Sequence, residues 1–148
     1  MLDWLFSEPL ATGTSAPDFT LPEQGGKAVT LSKLRGQCVV LIFYPGDDTP
    51  ICRQQLCDFR DQWGVARKRN IRVFGVNPAG AGSHQKFREK YHLPFPLLVD
   101  AGQKVAQLYH ANGWFVKRTV YLIGPDGIIR FAKRGTPDPG EVLAVAEG

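Results

Sequence analysis

The chain has 148 residues, 43% of them hydrophobic, and a net charge of +4; that size predicts one domain, residues 1–148, able to bury about two-thirds of its unfolded surface. The densest basic cluster, Arg67-Lys68-Arg69, sits at the end of a predicted helix and complements its dipole, so no nucleic-acid footprint is left. No run approaches the ~20 apolar residues of a membrane span, and residues 1–10, an N-terminal extension, lack the features of a signal peptide; a cytoplasmic protein that binds neither membrane nor nucleic acid is expected.

Ala16-Pro-Asp-Phe-Thr-Leu21 and Ala28-Val-Thr-Leu31 flank a Gly-Gly turn and predict a small hairpin. Ser32 is suited to cap a single turn through Leu34 that ends at Gly36. Cys38-Val-Val-Leu-Ile-Phe-Tyr44, stopped by Pro45-Gly46, reads as a strand buried on both faces. From Pro50 to Lys68 the apolar residues Ile51, Leu56, Phe59, Trp63 and Ala66 recur at helical spacing and predict one amphipathic helix. Ile71–Val76 is a second buried strand, and Ser83 is placed to cap a helix on which Phe87 and Tyr91 share a face. Residues 94–100 form a short strand and 102–110 a short helix. Thr119–Ile123 and Ile128–Ala132 pair as a hairpin, and residues 140–147 close the chain with a helical segment. This order demands a mostly parallel sheet with helices on both faces and an antiparallel edge hairpin, a thioredoxin-like α/β layout.

Three cysteines are too few for a disulfide framework and point to catalytic, redox or metal chemistry in a reducing compartment. Cys38 lies inside the first buried strand and reads as a core residue. Cys52 is placed differently. Thr49 is a favourable N-cap and Pro50 suits the first helical position, so Cys52 falls in the first turn. The orphan N–H groups and the positive end of the helix dipole there stabilise a thiolate over a thiol. His84, His92 and His110 have no metal-like spacing and read as surface or hydrogen-bonded histidines; no metal or cofactor is expected.

Pro45-x-x-x-Thr49-x-x-Cys52 resembles the active-site motif of the peroxiredoxins. The longer run from Phe43 to Asp61 is similar to the peroxiredoxin Q, or bacterioferritin-comigratory protein, subfamily of the AhpC/TSA-like proteins. Similarity continues through 16–21, 83–87, 93–98 and 118–123. The resemblance implies a thioredoxin-dependent peroxidase of the atypical two-cysteine type, acting on hydrogen peroxide and organic hydroperoxides. Cys52 would attack the distal peroxide oxygen and become a sulfenic acid. Thr49 would hydrogen-bond the peroxide and the thiolate, and Pro45 would shield the sulfur from water. Arg118 would reach over from the later strand and stabilise charge developing on the peroxide oxygens; strand alternation points the adjacent Lys117 to the other face.

Cys57 would be the resolving thiol, closing an intramolecular disulfide that thioredoxin or a similar dithiol protein reduces; a monomer or weak homodimer is expected. Helix geometry adds a condition. Five residues along a helix separate two Cα atoms by roughly 8.5 Å, beyond the limit of about 7 Å for a disulfide, so the start of the helix must unwind. Two other readings stand beside this one. A thioredoxin-like disulfide oxidoreductase calls for Cys-x-x-Cys, where this chain has Cys-x4-Cys, and for a proline that Val116-Lys-Arg-Thr119 lacks. A copper-carrying thioredoxin-fold protein would use Cys52, Cys57 and a histidine as soft ligands, and the Thr-Pro-x-Cys context has no purpose in such a site.

Overall fold

The buried runs of the sequence become the centre of a five-stranded sheet in the computed structural model, which describes residues 8–146. Strands β1 (Thr20–Pro22) and β2 (Ala28–Thr30) pair antiparallel as the expected hairpin, separate from that sheet. The main sheet consists of β3 (Cys38–Phe43), β4 (Ile71–Asn77), β5 (Leu97–Val99), β6 (Thr119–Ile123) and β7 (Ile129–Arg134), in the order β5-β4-β3-β6-β7. β3, β4 and β5 run parallel, and the hairpin β6-β7 lies antiparallel against β3. This is the thioredoxin-like arrangement. β5 is shorter than residues 94–100 because Pro94 and Pro96 have no N–H to give, and pairing begins at Leu97.

The helices are α1 (Pro50–Asp61), α2 (Trp63–Lys68), α3 (Ala81–Tyr91), α4 (Lys104–Leu108) and α5 (Pro139–Val145). Four expectations need correction. The helix expected over 50–68 is broken at Gln62 (φ −99°, ψ 11°), whose N–H turns back to Phe59 O; the break lets Trp63 stack toward Phe95, with centroids 6.4 Å apart. Ser83 does not cap α3. Gly80 holds that position, and the Ser83 hydroxyl donates to Asp47 instead. Ser32 likewise lies inside a 3₁₀ turn, Leu31–Leu34, where its backbone N–H donates to Asp18 Oδ1. α4 is shorter than the expected 102–110 and starts after Gln103 in the left-handed region, where the buried Asp100 carboxylate accepts the N–H groups of Val105 and Ala106 at 2.9 Å each. The expected N-terminal extension lies outside the described residues as far as Ser7, as does Glu147 at the end of the last helix.

Strand alternation divides the core in two. On one face Val39, Leu41, Phe43, Val76 and Tyr121 pack with Phe19 before β1 and with Tyr109 at the end of α4. On the other, Cys38, Val40, Ile42 and Tyr44 pack with Cys52, Leu56 and Phe59 of α1, Phe87 of α3 and Leu143 of α5. Each such fully buried side chain contributes roughly 1.5–3 kcal/mol. At Gly75 on β4 a Cβ would stand 2.7 Å from Leu97 Cδ2 and 3.0 Å from Tyr44 Cε1, so only glycine lets these side chains close under α1. α1 therefore lies tightly over the ends of β3 and β4, where the site forms.

Candidate active site

β3 ends at Phe43, and Pro45, with no N–H, begins a five-residue loop that runs to Thr49 and into α1. Cys52 is the third residue of α1 and is fully buried. The register pairs Phe43 with Thr119, so Arg118 emerges at the same end of the sheet as Pro45. Its Nη2 donates to Cys52 Sγ at 3.3 Å, and its Nη1 donates to Gln55 Oε1 at 3.0 Å. Gln55 Nε2 in turn donates to Gly135 O at 3.3 Å, while Gly135 N donates to Arg118 O at 2.8 Å. The guanidinium is thus braced at both ends of the residue and held against the sulfur. A fixed guanidinium and the start of a helix thus meet on one buried sulfur.

The other expected residues fall around this pair. Pro45 is half-buried on the loop. Thr49 has the backbone of an N-cap (φ −85°, ψ 151°), but its side chain does not cap: Oγ1 donates to Gly46 O at 3.5 Å. The first-turn N–H groups of α1 therefore have no side-chain acceptor at the cap, and the exposed Thr49 hydroxyl stays at the mouth of the site. Cys57 is half-buried further along the same unbroken helix, and all three cysteines are free thiols. Burial raises its pKa, helped by Asp61 and Asp58 against the opposing Arg60. Burial and the charge of Arg134 lower the pKa of Lys117. His92 and His110 are exposed, whereas His84 is fully buried and hydrogen-bonded through both ring nitrogens. Among the described residues no group of three or more His, Cys, Asp and Glu could hold a metal ion.

Sequence reasoning missed two parts of the site. Gln55, one turn after Cys52, links Arg118 to Gly135. The loop aspartates Asp47 and Asp48 are also anchored. Asp47 accepts hydrogen bonds from Tyr44, Asn77, Ser83 and His84. Asp48, in the left-handed region at φ 56°, accepts from Tyr91 at 2.7 Å and from Lys90 at 2.8 Å, and lies 3.5 Å from Arg53. The signal was a pair of acidic residues just past the carboxyl end of a parallel strand, where ligand sites of open α/β sheets gather.

A buried helix-start cysteine held by an arginine on a thioredoxin-like sheet defines a thiol-dependent peroxidase. The AhpC/TSA family matches residues 12–132. The chloroplastic peroxiredoxin Q of Oryza sativa subsp. japonica is 37% identical over 146 residues, which span 93% of this chain and 67% of the rice protein. The crystal structure of peroxidoxin BcpB from Mycobacterium tuberculosis superposes with a TM-score of 0.87 at 30% identity, covering 93% of this chain and 97% of that one. A structure of the Xanthomonas campestris bacterioferritin comigratory protein, described for its alkyl peroxide reduction activity, gives a TM-score of 0.81 at 25% identity, covering 93% and 96%. The chain belongs to the AhpC/TSA family, within its peroxiredoxin Q and bacterioferritin-comigratory branch.

Proposed function

We propose that Cys52 is the peroxidatic thiolate and Cys57 its resolving partner. The observation that carries this reading is the Arg118 Nη2 donor 3.3 Å from the buried Cys52 sulfur at the start of α1. The thiolate attacks the distal oxygen of a hydroperoxide, the O–O bond breaks, and the departing alkoxide or hydroxide takes a proton to leave as alcohol or water. Cys52 keeps the transferred oxygen as a sulfenic acid. Arg118 stabilises the negative charge spread over the two peroxide oxygens as their bond stretches. Thr49 offers its hydroxyl to the peroxide, and Pro45 limits the access of water to the sulfur.

Cys57 then attacks the Cys52 sulfur, water leaves, and a disulfide forms. In an intact α1 the two Cα atoms stand roughly 8.5 Å apart, so the first turns must open before the bond can close. A dithiol protein of the thioredoxin type returns both thiols. Beside the start of α1 lies a groove of about 460 Å³, walled by Pro50, Ile51, Gln54 and Gln55 on one side and by Pro137 and Pro139 on the other. Its apolar wall supports small organic hydroperoxides as substrates beside hydrogen peroxide. Three sparse free thiols favour a reducing compartment, and we assign the cytoplasm, with the protein acting as a monomer or weak homodimer.

Peroxide turnover coupled to thioredoxin and its reductase tests the reading. Cys52→Ser is expected to abolish it, and Cys57→Ser to complete one turnover and then depend on an added external thiol. Full activity in Cys52→Ser would overturn the assignment.

A further inference from the structure

A buried polar cluster anchors the loop that carries Pro45 and Thr49, and no step of the peroxide or disulfide chemistry uses it. His84 of α3 is fully buried; its Nδ1 lies 2.7 Å from Asp47 Oδ2 and its Nε2 2.8 Å from Leu98 O. Asp47 Oδ1 also receives the Tyr44 hydroxyl at 2.7 Å and Asn77 Nδ2 at 3.1 Å, and Oδ2 receives the Ser83 hydroxyl at 2.7 Å. Each carboxylate oxygen of Asp47 thus has two hydrogen-bond partners, the full complement of its lone pairs. Leu98 O can only accept, so Nε2 donates to it, and His84 ties the Asp47 side chain to β5. Burial alone would raise the Asp47 carboxyl; the hydrogen bonds from His84, Ser83 and Tyr44 outweigh it and hold it below its ordinary value.

Such a buried polar cluster adds little stability, because desolvation of its groups offsets much of what the hydrogen bonds return. Its effect here is geometric. Anchors just after β3 (Tyr44), on β4 (Asn77), on α3 (Ser83 and His84) and, through His84, on β5 (Leu98) converge on one side chain two residues after Pro45 and two before Thr49. Tyr44 also borders the site, since it packs in the same buried cluster as Cys52. We propose that Asp47, locked by His84, is a positioning residue of the peroxidase reaction, which fixes the Pro45–Thr49 loop relative to the Cys52 sulfur. The inference rests on the reading of Cys52 as the peroxidatic residue.

An amide at position 47 would turn N–H groups toward donors and release the loop, while Arg118 and the helix start would still favour the thiolate. In full-length Asp47→Asn the rate of Cys52 with hydrogen peroxide is expected to fall on the order of 10²-fold, the scale of a misplacement of about 1 Å. Alkylation of Cys52 by iodoacetamide, read by mass spectrometry, needs the thiolate but not the loop, and is expected to change by less than about threefold by the same reasoning. In a Thr49→Val background the added loss from Asp47→Asn is expected to shrink, because the aspartate acts through that loop. If Asp47→Asn fails to fold, Ser83→Ala, which removes one donor from an exposed residue, is expected to separate the two rates in the same direction by a smaller factor. Equal changes in both rates, or independent losses from positions 47 and 49, would overturn the proposal. Peroxide reactivity retained in Cys52→Ser would instead overturn the underlying functional reading, so the two failures are distinguishable.

Discussion

Cys52 and Cys57 share a helix and stand in opposite environments. Cys52 has a guanidinium on its sulfur; Cys57 has burial and two aspartates that favour its neutral thiol. The folded pKa of Cys57 is raised, so the protonated thiol stabilises intact α1 fully below the ordinary thiol value of 9.0, and this contribution is lost as pH rises through the raised folded value. Opening of the helix therefore becomes easier toward alkaline pH, and the exposed sulfur ionises more readily. Disulfide formation after a single-turnover pulse of peroxide, followed by stopped-flow tryptophan fluorescence, is expected to accelerate as pH approaches 9.0, where the exposed Cys57 sulfur ionises, and further above 9.0, where the helix loses the thiol's contribution. A flat profile would separate resolution from Cys57 ionisation. Cys52 and Arg118 were legible in the sequence because a local motif carries them. Gln55 and Asp47 were not: a Gln on a helix or an Asp in a loop is ordinarily solvated, and only the assembly of β4, α3 and the Gly135 turn gives them partners.

At the scale of elements, α1 is held shut by more than its own hydrogen bonds. Tyr91, the last residue of α3, donates its hydroxyl to Asp48 at 2.7 Å and accepts Arg53 Nη1 at 3.3 Å, while its carbonyl receives Arg60 Nη1 at 2.7 Å. Arg53 lies between the two cysteines in sequence, so unwinding to join them breaks its contact with Tyr91. Tyr91→Phe removes the hydroxyl hub but keeps the ring against Phe87, whose centroid is 5.6 Å away. The loss of a half-exposed hydrogen bond, worth about 0.5–1.5 kcal/mol, is expected to raise the rate of Cys52–Cys57 closure several-fold while leaving the peroxide step near its original rate; an unchanged closure rate would show that the clasp does not limit opening. The strands were readable because runs such as residues 38–44 and 71–76 are buried on both faces. The break at Gln62 was not, because Phe59 and Ala66, seven residues apart, stay on one face whether or not the helix is continuous.

For the whole molecule, the sheet places its reactive groups at one end. Parallel β3 and β4 deliver Tyr44 and Asn77, the antiparallel β6 begins just after Arg118, and α1 starts over the gap between them. The order of strands and helices was enough to read the thioredoxin-like layout, since short connections and right-handed crossovers leave few alternatives. The sequence did not reveal contacts such as Asp47 to His84 and Gln55 to Gly135, which join residues far apart in the chain, and it placed Arg118 beside Cys52 only through the family resemblance. The central claim is that peroxide reacts at Cys52 and is resolved within the same chain by Cys57. It is tested most directly by adding one equivalent of hydrogen peroxide to the reduced protein, blocking the remaining thiols and mapping the peptides by mass. One intramolecular disulfide, Cys52 to Cys57, is expected, with Cys38 recovered as a blocked thiol; oxidation at Cys38 with Cys52 recovered reduced would overturn the assignment.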